Sequence, residues 1–300
     1  MSVPGSAPRW QTTLVLGVGI VALSFAAIII RLTEAPSLLI AAGRLVVASV
    51  VLAPFFWARP ARMKRELRGS RWGLVVLAGV FLAAHFALWI ESLNRTSVTS
   101  SVVLVAMDPI FVALLSPLVL RERISLRVGL AIALGVLGTV IIGFRSFGSA
   151  MNTSGNLLAL GGAACAGGYL LVGRFVRQRA GLLAYVYVMY TIAALLLVGA
   201  VLVARVPVTG YSFSAYGFIV LLGLGPQLLG HTSFNWALRH LTAPAVAMVI
   251  LLEPVGAALL SWLILKEPPA GLEIAGGAVI CAGIYLAFTG RGAKRGVPAG

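Results

Sequence analysis

The sequence predicts an all-α integral membrane protein with ten transmembrane helices, arranged as two inverted five-helix repeats. Three observations predict it. Hydrophobic residues make up 60% of the 300-residue chain and charged residues only 10%, against about 45–50% and about 25% in ordinary soluble domains. Ten apolar stretches, each close to the roughly 20 residues a bilayer crossing needs, follow one another with short loops between. The two halves also match when the chain is shifted by 145 residues. A chain with a mean hydropathy of +1.03 cannot cover itself in polar surface, so its solvent is largely lipid.

The crossings fall near 12–32, 37–57, 72–92, 97–119, 127–145, 155–174, 182–204, 214–237, 243–265 and 271–289. We call them spans one to ten. Their length and lack of polar alternation favour helices over barrel strands. Span one follows Arg9 with an apolar run from Leu14 to Ile30. That run exceeds a signal-peptide core and has no small-residue cleavage site after it, so it reads as a crossing. Span two carries Arg44. Spans four and nine each hold an acid followed by proline, Asp108-Pro109 and Glu253-Pro254. Span five places Ala131, Gly135, Thr139 and Gly143 at every fourth position, and span ten has Gly276 and Gly283. Small residues let helices approach closely, so both faces read as packing seams, with a dimer seam as the alternative. Tyr185, Tyr187 and Tyr190 on span seven read as an interfacial belt. No loop is long enough for a soluble domain.

The formal charge of +15 would suggest nucleic acid in a soluble protein. Here topology accounts for it, because loops kept in the cytoplasm are enriched in Lys and Arg. With the N-terminus inside, 17 of the 23 basic residues fall on the cytoplasmic side and 5 outside, Arg44 being within a span. Both termini are therefore expected in the cytoplasm, with 290–300 as a basic cytoplasmic tail. The two cysteines, Cys165 and Cys281, lie in apolar stretches and offer neither a disulfide framework nor a zinc spacing.

Under the 145-residue shift, Met107-Asp108-Pro109 falls on Leu252-Glu253-Pro254 and Leu120-Arg121-Glu122 on Leu265-Lys266-Glu267. Gly138 falls on Gly283, and Trp89 on Phe234. Each half, 1–145 and 155–289, holds five helices. An odd number makes the halves enter the membrane in opposite directions, an architecture of secondary transporters, which bind substrate near the midplane between the halves. The ten-helix plan, the acid-proline pairs and the Leu-Arg/Lys-Glu endings of spans four and nine resemble the drug/metabolite transporter superfamily. Within it the chain resembles the branch built from two EamA-type repeats, most strongly over 97–145 and 243–289. It is also similar to bacterial aromatic amino-acid exporters of that branch. The resemblance implies a multi-pass transporter of a bacterial inner membrane.

Ionisable groups inside a membrane are costly and are functional candidates by default. Asp108 and Glu253 both sit near the midplane, and each precedes a proline that frees the carbonyl four residues back, Val105 and Ile250. A carboxyl, a free acceptor and a kink together suit ammonium recognition or proton coupling, with Pro109 and Pro254 as hinges. The alternative is that the acids are protonated, or paired with Arg44, and hold helices together. His85, Trp89 and Ser92 share one face of span three, and Gln227, His231 and Asn235 one face of span eight. The shift brings His85 to within one position of His231, so the two faces are expected to oppose each other. Tyr169, Met107 and Met248 could complete an adaptable lining. Polar glue between helices is the competing role for these side chains.

No cofactor or metal is expected. Gly17-Val18-Gly19-Ile20-Val21-Ala22 imitates a dinucleotide fingerprint but lies in an apolar helix without strand or ribose-binding acid. There is no Gly-Lys-Ser/Thr phosphate loop, and the single basic residue deep enough for a cavity, Arg44, disfavours phosphorylated cargo. The sequence thus predicts a transporter rather than an enzyme, with a small-molecule substrate, a lipid bilayer as its surroundings, no nucleic acid, and a monomeric or homodimeric state. Amino acids with an aromatic or apolar bias are the expected cargo. A multidrug or lipophilic-cation exporter is the nearest alternative, and an integral-membrane lipid-modifying enzyme the remote one.

Overall fold

The computed structural model describes residues 7–68, 72–96, 98–121, 124–144, 153–266 and 271–289. The expected tail at 290–300 and the residues Arg71, Glu122, Arg123, Arg145 and Glu267 lie outside the described residues, as do the side chains of Arg9 and Arg68. Every regular element among the described residues is helical. Among the described residues, eight helices are long and apolar enough to cross a membrane, and two shorter apolar helices, Leu126–Ile142 and Ile274–Ala287, bring the set to ten.

Span one consists of α1 (Arg9–Ser24) and α2 (Ala26–Leu32), and span two is α3 (Ser37–Trp57). A short helix, α4 (Pro60–Arg68), fills what the sequence reads as a loop. Its Met63 and Leu67, four residues apart, are buried while Arg62, Lys64 and Arg65 face outward, so α4 is amphipathic. Span three is α5 (Trp72–Arg95). Span four is split into α6 (Val98–Val105) and α7 (Asp108–Val119), and span five is α8 (Leu126–Gly143). The Ser125 hydroxyl caps α8 by accepting from the Val128 amide at 3.3 Å. Spans six and seven are α9 (Thr153–Arg177) and α10 (Leu182–Val203). Span eight runs through α11 (Phe213–Leu222), a π-helical stretch Gly223–His231, and α12 (Thr232–Ala237). Span nine contains α13 (Ala243–Ile250), α14 (Glu253–Leu260) and a π-helical end, Ser261–Leu265. Span ten is α15 (Gly271–Thr289).

The packing carries the internal symmetry. Span three lies along span six, and its counterpart, span eight, lies against span one. Spans two and seven pack together, as do five and ten, each pair mapping onto itself under the shift. The helix breaks coincide too. At 106–107 and again at 251–252 the chain tightens, with the Met107 amide donating to the Leu104 carbonyl at 3.2 Å and the Leu252 amide to Val249 at 3.0 Å. The proline two residues further on has no N–H to continue the ladder, so each break is written into the local sequence.

The seam between α8 and α15 is built on glycine. A methyl group on Gly138 would lie 2.5 Å from the Gly276 carbonyl oxygen, and one on Gly283 would lie 2.8 Å from that of Ala131. The small residues therefore serve packing within the chain. One expectation is corrected. Tyr185 and Tyr190 are fully buried rather than interfacial, because they turn inward, the Tyr185 hydroxyl against Gly173 of α9 and the Tyr190 hydroxyl 3.1 Å from that of Thr232 in α12. Tyr187 alone of the three reaches the rim, where its hydroxyl accepts from the Trp57 indole at 3.0 Å.

The loops segregate by parity. Ser37 after span one, Asn94 and Thr96 after span three, and Asn156 before span six meet at one end. Asn94 donates to the Ser37 hydroxyl at 2.6 Å and Thr96 to the Asn156 side chain at 2.8 Å. Arg59 and α4 after span two, Arg179 after span six and Arg239 after span eight meet at the other.

Candidate functional site

Six spans, one, three, four, six, eight and nine, enclose a small cavity of about 40 Å³. These are three symmetry-related pairs, so the cavity sits at the junction of the repeats. Asp108 and Glu253 both line it, as do Val105 and Ile250, and Trp89 and Phe234. Each of those pairs is 145 residues apart. His85, Tyr169, Leu170 and His231 complete most of the wall, with Leu23, Ala106 and Ala166 as its small and aliphatic parts.

The two helix breaks present the carboxyls. Because α6 ends at Val105 and α7 begins at Asp108, the acid stands at the start of a helix, where the backbone N–H groups favour negative charge. The same holds for Glu253 at the start of α14. Asp108 is buried, and its Oδ2 has no hydrogen-bond partner among the described residues. Glu253 is only half-buried.

The histidine faces meet as the repeat requires. The His85 and His231 rings stand 6.4 Å apart between centroids. His85 is stacked on Trp89 at 5.8 Å, and its Nδ1 lies 3.0 Å from the Gly162 carbonyl oxygen. His231 meets Phe86 edge to face at 5.2 Å and lies 6.2 Å from Tyr169. It ends the π-helical stretch of span eight, and such widened turns are frequent at functional sites. Asn235 steadies this corner by donating to the His231 carbonyl oxygen at 2.8 Å and to the Tyr169 hydroxyl.

Of the eight side chains the sequence marks for substrate contact, His85, Trp89, Tyr169 and His231 reach the wall, and Met107, Gln227, Asn235 and Met248 do not. Met107 and Met248 face the other way, into an apolar cluster with Ala131, Leu251 and Ile280 between spans four, five, nine and ten. Gln227 is fully buried with both amide atoms unpartnered among the described residues. Asn235 acts through its neighbours. Arg44 is fully buried, with its guanidinium 4.1 Å above the Phe86 ring, an arrangement in which the ring face attracts the cation. It forms no ion pair with Asp108 or Glu253 among the described residues.

Phe86 and Phe234 are missing from the sequence reading of the site. Phe234 had a signal, since the shift pairs it with Trp89. Phe86 had none, because an apolar residue in an apolar helix carries no mark of which neighbour it touches. Among the described residues no three His, Cys, Asp or Glu side chains are grouped to hold a metal. The cavity is therefore an aromatic chamber with two carboxyls, two imidazoles and a buried arginine behind one wall. Such a wall offers charge, hydrogen bonds and ring faces side by side.

The EamA-like transporter family profile matches the sequence twice, over residues 9–144 and 153–289. A "Probable terminal-alkyne amino-acid exporter" of Streptantibioticus cattleyicolor is 28% identical over 81% of this chain and 81% of its own. The pseudopaline exporter CntI of Pseudomonas aeruginosa is 28% identical over 73% of this chain and 76% of its own. A solved crystal structure superposes with a TM-score of 0.78 at 20% identity, covering 94% of this chain and 97% of the other. That likeness establishes the fold.

Proposed function

We propose that this chain, which belongs to the EamA-like transporter family, exports amino acids, with aromatic and other neutral ones favoured. Membership makes it a multi-pass membrane transporter and not an enzyme. The observation that carries the cargo reading is the cavity where the two repeats meet, with Asp108 and Glu253 set among Trp89, Tyr169 and Phe234. A substrate ammonium would lie against the carboxyls, since hydrogen bonds to charged partners are the strong ones. An aromatic or apolar tail would lie against the rings, where each well-placed aromatic contact contributes about 0.5–1.5 kcal/mol beyond area burial. The substrate carboxylate would point toward His85 and His231. The amino-acid exporter among the relatives supports this assignment.

At about 40 Å³ the chamber is far below the roughly 300–1,000 Å³ of ligand pockets. Binding therefore requires the chamber to widen, and the breaks before Pro109 and Pro254 are the proposed hinges of alternating access. We take the moving units as 1–145 and 155–289 in a bacterial cytoplasmic membrane. The N-terminus, the Arg59, Arg179 and Arg239 end and the 290–300 tail would face the cytoplasm.

A second reading rests on Arg44 standing behind Phe86 rather than on the wall, which leaves the cavity surface acidic and aromatic. Such a surface also suits lipophilic cations. Uptake into proteoliposomes separates the two. The panel is labelled phenylalanine, tryptophan, threonine, methionine, glutamate, a sugar phosphate and a lipophilic cation, each with and without a pH gradient. Saturable flux of neutral and aromatic amino acids is expected, and its response to the gradient tells whether the acids carry protons. Flux of the cation alone would transfer the protein to the drug-exporter reading.

A further inference from the structure

A second, larger cavity of about 740 Å³ opens at the end of the bundle where α3, α4, the start of α10 and the turn after α12 converge. Four arginines line it, Arg59, Arg62, Arg179 and Arg239, against one acid, Glu66. Glu66 is engaged by Arg62 at 2.8 Å across one turn of α4. Arg59, Arg179 and Arg239 make no ion pair among the described residues. They come from three separate loops and are exposed, so water screens their mutual repulsion, but three like charges gathered around one concavity still attract an anion into it.

The surroundings say which anion. Phe55, 62% exposed, forms part of the same wall, and Trp57 beside it is 60% exposed. Aromatic residues left outward at the end of a membrane helix mark the depth of lipid headgroups. Helix α4 closes this end as well, its Met63 and Leu67 packed into the protein core while Arg62, Lys64 and Arg65 stay exposed. Arginine suits a phosphate because its planar fork donates two parallel hydrogen bonds to it. We propose that this cavity binds the headgroup of an anionic phospholipid, with the phosphate among Arg59, Arg179 and Arg239 and the acyl chains passing Phe55 into the bilayer. A soluble phosphate would use the arginines but leave the exposed aromatic rim unexplained.

The test titrates the purified full-length protein in neutral detergent with phosphatidylglycerol, phosphatidylcholine or glycerol phosphate, and counts bound molecules by native mass spectrometry. Saturable binding of phosphatidylglycerol is expected, with little of the other two. At roughly fivefold per basic residue, an Arg59→Gln/Arg179→Gln/Arg239→Gln variant loses on the order of a hundredfold in affinity. The control variant Lys64→Gln/Arg65→Gln removes charge from the outer side of α4, away from the cavity, and stays within about twofold of wild type. Arg239→Gln alone serves should the triple variant fail to fold, and loses about fivefold. Equal losses in the cavity and control variants would overturn the proposal in favour of diffuse surface charge. Equal binding of phosphatidylcholine would overturn it too, and glycerol phosphate binding as tightly as the lipid would make the cavity a free-anion site.

Discussion

Replacing Gly138 with alanine puts a methyl group where α8 and α15 run backbone against backbone. The added carbon would stand 2.5 Å from the Gly276 carbonyl oxygen, 2.8 Å from Ile280 Cγ1 and 2.9 Å from the Ile280 nitrogen. Ordinary contact begins at 3.4 Å, so the helices must part by about 0.9 Å, and two of the three obstructing atoms are backbone that no rotamer change can move. Overpacking of this kind costs about 1–3 kcal/mol. Alanine in place of glycine within a helix returns about 1 kcal/mol of propensity, which would blur a comparison with wild type. Gly17→Ala supplies the reference, since nothing lies within 4 Å of a methyl there and the propensity gain is the same. The difference between the two variants isolates the steric cost. Unfolding in mixed micelles is expected to rank Gly138→Ala about 1–3 kcal/mol below Gly17→Ala. Equal stability, or Gly138→Ala the more stable, would refute the close backbone approach.

Two further outcomes are expected. Glu253→Gln and His231→Ala each lower amino-acid flux by roughly ten- to a hundredfold in proteoliposomes, the scale of a lost hydrogen bond to a charged group, while membrane insertion and elution profile stay unchanged; wild-type flux in both variants would remove them from the mechanism. At the opposite end, Glu91 accepts from the Ser37 hydroxyl at 2.8 Å and from Arg95 at 2.7 Å, but this cluster is partly exposed, so Glu91→Gln should lower unfolding free energy by about 1 kcal/mol or less, and a larger loss would mean that the cluster is more deeply engaged than its exposure indicates.

Much of the architecture was legible in the chain. Ten apolar runs, a lysine and arginine count biased to alternate loops, and two acid-proline pairs 145 residues apart are one-dimensional signals. The helix breaks at 106–107 and 251–252 follow directly from prolines that cannot donate. The opposition of His85 and His231 followed from the repeat, because symmetry converts sequence offset into spatial relation. Where the site reading failed, it failed on helix rotation. Met107 sits next to Asp108 yet turns into the apolar cluster, and Met248 does the same. Tyr185 and Tyr190 look like belt residues by type but turn inward, toward Gly173 of α9 and Thr232 of α12. The basic stretch after span two looked like a solvated loop until Met63 and Leu67 found a surface to cover.

Membrane residence, helix number and the two-repeat plan were determined by the sequence alone, because hydropathy and chain breaks act over one helix at a time and need no partner. Only the tertiary structure decided which side chains share a chamber. It set Phe86 between Arg44 and His231, turned the methionines away, and gathered Arg59, Arg179 and Arg239 from three loops. The physical reason is that a helix in lipid has apolar neighbours on every side. Its facing is chosen by shape, by glycine seams such as Gly138 on Gly276 and by a few buried polar contacts, and these interactions join residues tens to hundreds of positions apart.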